Sequence, residues 1–256
     1  MDALRVHIEG IGWWSPQWPD WTSAEQALRA GADLADAGAA KPPASLLAPG
    51  ERRRAPDLVL LACEIAGQAC AAAARPPGEL PCVFASMRGD VATADAVCTT
   101  LASAPLEVSP TRFHNSVHNA PAGYWTVATG CRAASTALAA GVGSFAAGLL
   151  EAALETLAGR QPVLFAAYDS AAAGPLAEVV HAQASLGAAF VLNADPDERK
   201  RAVLRLRHEP TPVEIDPATH PVTAALPLLR ALARGEAAEL RLPYGTHSSL
   251  RVEVLA

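Results

Sequence analysis

The chain has 256 residues, of which 51% are hydrophobic, 18% are charged and 5% are aromatic, and its formal net charge is −6. A chain of this length and apolar content buries a core without disulfides or metal ions, which argues against disorder. The acidic balance supplies no attraction to a phosphate backbone, so we expect no nucleic-acid partner.

Cysteine usage and the N-terminal sequence indicate the compartment. The five cysteines include no C-x-x-C pair, and no positively charged and then apolar leader opens the sequence. Both features favour a reducing cytoplasm. Residues 133–150 carry no charge, but small residues dominate them. Because small residues suit a helix enclosed by protein better than one in lipid, we predict a buried helix there and no membrane span.

The N-terminal part of the chain is predicted to hold one strand and one long helix. Leu4–Ile11 alternates as a strand and ends at glycines that allow a turn. Four tryptophans among prolines in Trp13–Trp21 indicate a loop, whose rings either cover the domain's own edge or anchor a partner subunit. Pro42–Arg54 is predicted to be a loop, after which Asp57 caps a helix that runs to about Ala74.

The rest of the chain mixes short strands with helices. We predict a strand over Leu80–Ser86, a helix over Asp90–Ala102 with Cys98 in the core, a loop over Pro105–Arg112 and a central strand over Pro162–Ala167.

The C-terminal third continues this pattern. Ala188–Asn193 and Ala202–Arg207 are predicted to be an antiparallel strand pair joined by a charged turn, with a helix over Val222–Ala233 and a final strand over Ser249–Leu255 following. The mixture of elements indicates the α/β class.

Two histidines raise the question of a metal site. His114 and His118 are four residues apart and could share a helical face. Asn115 and Asn119 are poor substitutes for the missing third, carboxylate ligand. We therefore interpret the histidines as polar loop groups and predict no metal site and no cofactor. The sequence has no phosphate-binding glycine loop, H-E-x-x-H motif or G-x-S-x-G motif.

The middle of the sequence resembles the middle of a β-ketoacyl synthase of the thiolase-like superfamily. In that family an N-x-x-A-G element precedes the nucleophilic cysteine at a fixed interval, and a helix, a glycine and an apolar strand follow. Asn119–Gly123 matches the first element, and Gly159 with Val163–Phe165 matches the last. Counted from either end without a gap, the cysteine position falls on Val142, inside Gly141-Val142-Gly143-Ser144.

The resemblance extends to outer segments. LRVHIEGIGWWSP at 4–16 resembles the family's opening strand and turn, and GERRRAPDLVLLACEIAGQA at 50–69 resembles its first surface loop and helix. LGAAFVLNADPDERKRA at 186–202 resembles the G-A-x-A-L-V-L-E strand. Beyond it, Thr219–Ala225 resembles the G-H-x-x-G-A-A helix start and Tyr244–Leu250 the closing turn, while the H-G-T-G-T histidine and the lysine before His220 have no counterpart.

The resemblance implies a thiolase-like α/β fold, layered α-β-α-β-α, with a strongly shortened second half. We expect a single ketosynthase-like domain over 1–256, made of an N-terminal half over 1–205 and the remnant of a C-terminal half over 206–256. Valine is no nucleophile, and decarboxylation needs polarising histidines of which one is absent. The chain alone is therefore not expected to condense acyl groups.

Several lineages of the family pair an active ketosynthase with a cysteine-lacking partner, the chain-length factor. The resemblance implies this role, in a heterodimer for polyene, polyketide or fatty-acid-type biosynthesis, similar in form to the short subunits of aryl-polyene synthases. Candidates for the acyl-tunnel boundary and partner interface are Phe113, Tyr124 and Trp125. Candidates for docking an acidic acyl carrier protein are Arg52, Arg53 and Arg54, which could equally be a solvated loop.

Two other functions remain open. An independent acyl-thioester enzyme, a thioesterase or acyltransferase, would use Ser144 or Cys131 as its nucleophile. A binding module would only recruit carrier protein through Arg52–Arg54.

Overall fold

The computed structural model describes residues 3–35, 38, 40–171, 174–178, 184–195, 201–214 and 220–255. Within these residues, eight strands form one sheet in the order β3-β2-β4-β5-β1-β6-β8-β7. β2 pairs in parallel with β3 and β4, and the other neighbours are antiparallel. The strands are β1 Leu4–Trp14, β2 Cys82–Ala85, β3 Ser135–Leu138, β4 Val163–Asp169, β5 Leu186–Asn193, β6 Ala202–Glu209, β7 Ala238–Gly245 and β8 Ser248–Leu255.

Helices cover both faces of this sheet. They are α1 Trp21–Arg29, α2 Pro49–Arg54, α3 Asp57–Ala72, α4 Val91–Ser103, α5 Pro110–Asn115, α6 Ala120–Thr129, α7 Ser144–Gly159 and α8 Leu226–Arg234. None of the described helices is long and apolar enough to cross a membrane.

The core has two layers, because successive side chains of a strand point to opposite faces. In β4, Leu164 and Tyr168 face the cluster that includes α3 and α6, whereas Val163 and Phe165 face the cluster that includes α7, α1 and α8. All seven β4 residues are buried, which fits the apolar run expected of a central strand.

The α/β class and the order of the major elements agree with the sequence. The described residues form three layers, α-β-α, around one sheet, and not the five layers that the resemblance implied. The final helix begins with a 3₁₀ turn over Pro221–Ala225, and α8 ends at Gly235 in the left-handed conformation (φ 65°). The strand β7, which pairs with β8 at one edge of the sheet, was not predicted. Residues 196–200 of the predicted charged turn lie outside the described residues.

The prediction of one buried helix over residues 133–150 is wrong. Ser135–Leu138 forms the parallel strand β3, a turn follows, and α7 begins at Ser144. Gly141 adopts φ +56° within this turn, a conformation that interrupts a right-handed helix and that glycine adopts without strain. The uncharged, small-residue composition of this segment is compatible with one continuous helix and equally with a strand, a turn and the start of a helix.

Other predictions need smaller corrections. Arg52, Arg53 and Arg54 lie on the short helix α2, which begins with Pro49 at its first position, and not on a loop. Cys98 is exposed, so it is not a core residue. Part of the predicted loop over Pro105–Arg112 belongs to α5.

The two predicted C-terminal strands β5 and β6 do not pair. β1 lies between them and is antiparallel to both. The short charged turn between β5 and β6 suggested a hairpin. The 11-residue strand β1, which is buried from Val6 onward, instead pairs with both of them.

The tryptophan-rich segment belongs to the chain's own core. Trp13 and Trp14 end β1, Trp21 begins α1, and all four rings, including that of Trp18, are at most 7% exposed. Trp13 and Trp18 lie with ring centroids 6.4 Å apart. This burial supports the interpretation in which the tryptophan rings cover the domain's own edge, and not the one in which they anchor a partner subunit.

Candidate functional site

The carboxyl ends of the parallel strands β2, β3 and β4 meet at one end of the sheet. Ser86 follows β2, Asp169 ends β4, and residues Ala140–Gly143, here called the Val142 turn, connect β3 to α7. Loops at the carboxyl ends of parallel strands commonly form sites, because they converge while the strands hold them rigidly. This end of the sheet is therefore the candidate site.

Local hydrogen bonds fix the Val142 turn. The Gly143 N–H donates to the Ala140 carbonyl at 3.0 Å, and the Ser144 N–H donates to the Gly141 carbonyl at 3.1 Å. The Ser144 hydroxyl accepts from the Ala140 N–H at 3.0 Å and donates to the Gly141 carbonyl at 2.6 Å. The only hydrogen of the hydroxyl is thus used to hold the turn, which is a structural role and not that of an activated nucleophile.

The backbone of the C-terminal part of the chain packs directly against the Val142 turn. A Cβ atom added at Gly143 would lie 2.5 Å from the carbonyl oxygen of Tyr244, at the end of β7. Only a residue without a side chain fits between the turn and this backbone. The resemblance of Tyr244–Leu250 to the family's closing turn thus falls on a segment that touches the Val142 turn.

A cavity of about 180 Å³ brings Val142 and His220 to one place. Pro221, Thr223, Leu242 and further residues complete its wall. The sequence placed these two residues in separate family motifs, and the fold brings both to the same cavity.

The imidazole of His220 has no free nitrogen in this arrangement. Its Nδ1 accepts from the Val222 N–H at 3.2 Å, and its Nε2 donates to the Asp169 carbonyl at 3.2 Å. Burial lowers the pKa of His220 to about 4, so the ring is neutral at neutral pH. A neutral ring with both nitrogens bonded to backbone caps the turn that follows it.

The carboxylate of Asp169 is buried beside this site. It accepts from the Ser86 hydroxyl at 2.8 Å and from the Met87 N–H at 3.0 Å. Burial raises the pKa of Asp169 to about 6, although the hydrogen bonds from Ser86 and Met87 partly oppose this shift. The carboxylate therefore ties the end of β4 to the loop that follows β2.

Cys131 lies away from the Val142 turn. It precedes β3, whereas Val142 follows β3, so the two residues are at opposite ends of the strand. Its buried thiol donates to the Leu80 carbonyl at 3.4 Å. This position gives it no helix N-terminus and no bonded histidine or carboxylate to generate a thiolate.

The two candidate metal-ligating histidines have separate surroundings. The ring of His114 lies 6.3 Å from the ring of Tyr124, centroid to centroid. His118 instead donates from Nε2 to the Ser86 carbonyl at 2.9 Å. No group of three or more metal-ligating side chains occurs among the residues that the structure describes.

The outer side of β3 is a free sheet edge in the described part of the chain. β3 is the terminal strand in the sheet order and bonds to β2 on its inner side. A cavity of about 570 Å³ lies between this edge and α6, lined among others by His118, Ala122, Thr126 and Ser135. Unpaired edges are templates for another strand unless something covers them.

Several large apolar side chains around α5 and α6 are exposed. Phe113 is 63% exposed and Val127 is 67% exposed, and Leu106, just before α5, is 99% exposed. Val117 is 47% exposed. Together Leu106, Phe113, Val117 and Val127 are called the α5–α6 surface here. Exposed apolar residues mark an interaction surface when they form one contiguous patch.

Comparisons with known proteins identify the family. The family model described as "Beta-ketoacyl synthase, N-terminal domain" matches residues 18–246. The chain belongs to this family. The match spans most of the sequence and confirms the resemblance on which the sequence analysis relied. No curated protein sequence matches significantly.

Solved structures confirm the thiolase-like ketosynthase fold. A ketosynthase (ApeO) in complex with its chain length factor (ApeC) from Xenorhabdus doucetiae matches with a TM-score of 0.76 and 21% identity, over 98% of this chain and 99% of that one. The ishigamide ketosynthase/chain length factor matches with a TM-score of 0.73 and 14% identity, over 98% and 99%. A type II PKS acyl-carrier protein in complex with its ketosynthase (AntDE:AntF) matches with a TM-score of 0.79 and 10% identity, over 100% of both chains.

Of the three predicted interface residues of this β-ketoacyl synthase family member, two lie at the surface and one lies in the core. Phe113 lies on the exposed side of α5. Tyr124 lines a cavity of about 480 Å³ and donates its hydroxyl to Asn115 Oδ1 at 3.1 Å. Trp125 is a correction, because its ring is 0% exposed and lies 6.3 Å from that of Phe84 in the core. Its ring is therefore not on the surface of this chain, where a partner would contact it.

The sequence analysis missed Leu106, Val117 and Val127. Leu106 and Val117 are single apolar residues in segments without helical periodicity, whereas Val127 lies on α6, where the sequence does not show which side faces the solvent. Of the candidate docking residues, Arg53 and Arg54 are exposed, and Arg54 also lines the cavity beside Tyr124. Arg52 is partly buried and donates to the Pro43 carbonyl at 3.3 Å.

Proposed function

We propose that this chain is a non-catalytic, chain-length-factor-type subunit that pairs with an active β-ketoacyl-ACP synthase and shapes its acyl tunnel. The observation that carries the proposal is the Val142 turn. At the position that the family register assigns to the nucleophile, the chain has an isopropyl group, and the histidine in the same cavity has both nitrogens bonded to backbone. These two features support a subunit that has the ketosynthase fold but does not itself form and resolve an acyl thioester.

The comparisons support a paired role. Two of the matched structures are named as ketosynthase and chain length factor complexes, and in both the matched chain is covered to 99% by this chain. Each complex with that name therefore contains a chain that this chain matches over nearly its whole length. Polyene and polyketide biosynthesis are the processes that we propose for this chain, as in those relatives. Its cytoplasmic location stays a prediction.

The partner is proposed to cover the β3 edge and the α5–α6 surface. The edge strand offers unpaired backbone groups, and the exposed side chains of Phe113 and Val127 offer apolar area. These features complement each other, because strand pairing fixes the register while apolar side chains supply most of the binding free energy. Phe113 is proposed to border the acyl tunnel at this interface, with Tyr124 behind it.

The domain organisation fits a single cooperative subunit. The C-terminal segment 206–256 contributes β7 and β8 to the same sheet as residues 1–205, and α8 packs against one face of that sheet. Tyr244 from this segment also closes the Val142 turn. We therefore propose one domain over 1–256, in which the shortened second half completes the sheet.

Carrier-protein docking is proposed to use the arginines of α2. Arg53 and Arg54 are exposed on α2, where a chain of net charge −6 presents positive charge to an acidic partner. Reversing both charges with Arg53→Glu and Arg54→Glu should weaken carrier-protein binding to the complex at low salt. Arg207→Glu, on the exposed side of β6, is the matched control and should leave binding unchanged. Equal binding by both variants would remove Arg53 and Arg54 from the docking role.

The proposal is tested by co-expression with the ketosynthase encoded nearest to this chain. Sizing of the purified mixture should give a one-to-one heterodimer. Condensation of a malonyl unit onto an acyl carrier should require both chains, and this chain alone should give no product. A ketosynthase that is fully active and of unchanged product length without this chain would contradict the proposal.

A further inference from the structure

Ser86, the residue that follows β2, joins four parts of the candidate site. Its N–H donates to the Leu138 carbonyl at 3.2 Å, and its carbonyl accepts from His118 Nε2 at 2.9 Å. Its hydroxyl donates to Asp169 Oδ1 at 2.8 Å and accepts from the Gly89 N–H at 2.9 Å. Ser86 is 0% exposed, so every one of these bonds is inside the protein. We call Ser86 and Asp169 the Ser86–Asp169 pair.

Asp169 is the charged member of the pair. Both of its carboxylate oxygens accept from the Met87 N–H, at 3.0 and 3.1 Å, besides the bond from Ser86. The ionisable groups around it are His118 from the α5–α6 connection, Tyr168 from β4, and His220, whose Nε2 bonds the Asp169 carbonyl. The carboxylate is 5% exposed, and burial raises its pKa to about 6.

The pair reaches the proposed partner surface through two short connections. Leu138 is the last residue of β3, the strand whose outer edge is free. His118 lines the cavity between that edge and α6. Both groups are bonded directly to Ser86, so a change at the Asp169 carboxylate is one hydrogen-bonded residue away from the β3 edge.

We propose that the Ser86–Asp169 pair is a pH-responsive positioning element, which holds the β3 edge and His118 in the arrangement that binds the partner ketosynthase only while Asp169 is ionised. The inference rests on the proposed function, since it concerns the regulation of the same interface. Protonation removes one of the acceptor positions to which Ser86 and Met87 donate, and the loop after β2 loses the bond that fixes it to β4. Partner binding then favours the ionised form and weakens as the pH falls.

Linkage gives the size of the effect. When the partner binds only the ionised form, the apparent dissociation constant rises in proportion to one plus the ratio of protonated to ionised Asp169. With titration near pH 6, the dissociation constant is expected to be about tenfold larger at pH 5.0 than at pH 7.5.

The test measures heterodimer affinity at pH 5.0, 6.0 and 7.5 for three forms of this chain with the same partner. The wild type should lose about tenfold in affinity between pH 7.5 and pH 5.0. Asp169→Asn keeps the shape but cannot ionise, and its affinity should be weaker than that of wild type at pH 7.5 and should lose this tenfold dependence. Glu155→Gln is the matched control, because Glu155 accepts from Thr136 of β3 at 2.9 Å and burial also raises its pKa.

A carboxyl carbon NMR titration of Asp169 gives a second readout that needs no variant. The pKa of Asp169 should be lower in the complex than in the free chain, because binding favours the ionised form. This measurement keeps the inference testable if Asp169→Asn does not fold.

The following results of these measurements would contradict the positioning role of Asp169. An Asp169→Asn chain with the same pH dependence as wild type, a Glu155→Gln chain that loses it, or an equal pKa of Asp169 in both states overturns the positioning role. A wild-type complex whose affinity does not change with pH overturns it as well, while leaving the proposed function intact. Failure of the two chains to associate at any of these pH values contradicts the proposed function, and the inference falls with it.

Discussion

The Val142 turn directly follows β3, but the polar groups of the turn and those of the outer β3 edge are bonded very differently. At the turn, the Ser144 hydroxyl and both nitrogens of His220 are bonded within the chain. At the edge, a strand side has no pairing partner in the described residues, and Phe113 and Val127 are exposed nearby. The position where the family carries out chemistry is closed, and the interactions left open are on a surface. The difference supports the proposal that this family member acts by association.

The largest contrast is expected between Trp125 and Phe113. Trp125→Ala removes a fully buried ring and should lower the free energy of unfolding by about 3 to 5 kcal/mol. Phe113→Ala removes an exposed ring and should change it by less than about 0.5 kcal/mol, while weakening the heterodimer. Urea unfolding of the isolated chain and affinity for the ketosynthase separate the two effects. A strongly destabilised Phe113→Ala chain would mean that Phe113 belongs to the core and not to the interface.

The next effect concerns the packing of the turn. Gly143→Ala places a methyl group 2.5 Å from the Tyr244 carbonyl oxygen and should cost about 1 to 3 kcal/mol of stability. Gly123→Ala in α6 is the control, since nothing lies within 4 Å of its added Cβ, and it should stabilise the chain by about 0.5 to 1 kcal/mol. Equal unfolding free energies for both variants would show that the C-terminal segment does not brace the Val142 turn.

The pH dependence of stability separates the two buried groups at the site. The raised pKa of Asp169 means that the unfolded chain loses this proton first, so its contribution falls as the pH rises from about 4 to 6. The lowered pKa of His220 has the opposite sign, because the unfolded chain binds that proton more readily and the contribution rises between about 4 and 6.5.

The two contributions therefore oppose each other in the wild type. Between pH 4.5 and 6.0, Asp169→Asn should gain stability with pH relative to wild type, and His220→Gln should lose it, each by up to about 2 kcal/mol. Urea unfolding at the two pH values measures both. If either variant follows the wild-type profile, the group it replaces titrates alike in the folded and unfolded chains.

The smallest effect is expected for a variant that introduces a thiol at the Val142 turn. Val142→Cys places a thiol at the proposed nucleophile position, but both nitrogens of His220 are already bonded to backbone. Condensation by the isolated variant should therefore stay at the background level of the wild-type chain, as followed by mass spectrometry of the carrier-bound product. Sustained condensation by Val142→Cys alone would show that the remaining groups at the site are sufficient for catalysis.

The sequence predicted what depends on local pattern and on family spacing. The apolar runs of β4 and β5 were evident, and the ungapped spacing put Val142 next to the start of a helix, where the structure has it. The sequence could not resolve residues 133–150, because uncharged small residues have no periodicity that separates β3 from α7. What makes β3 a strand is its pairing with β2, some fifty residues earlier in the chain.

Which side of an element faces the solvent was also beyond the sequence. Tyr124 and Trp125 are adjacent on α6, and both were assigned to the interface. A step of about 100° around the helix separates their side chains, so one lies in a surface cavity and the other in the core. In the same way, the role of Ser86 depends on bonds to residues from 3 to 83 positions away, which no local pattern contains.

The most direct test of pairing without chemistry uses the heterodimer with the partner's nucleophilic cysteine changed to alanine and this chain left as wild type. After incubation with acyl and malonyl carrier proteins, we predict an intact complex, no condensation product, and no acyl group on any peptide of this chain by mass spectrometry. Product formation, or an acyl group on Ser144 or Cys131, would contradict the account.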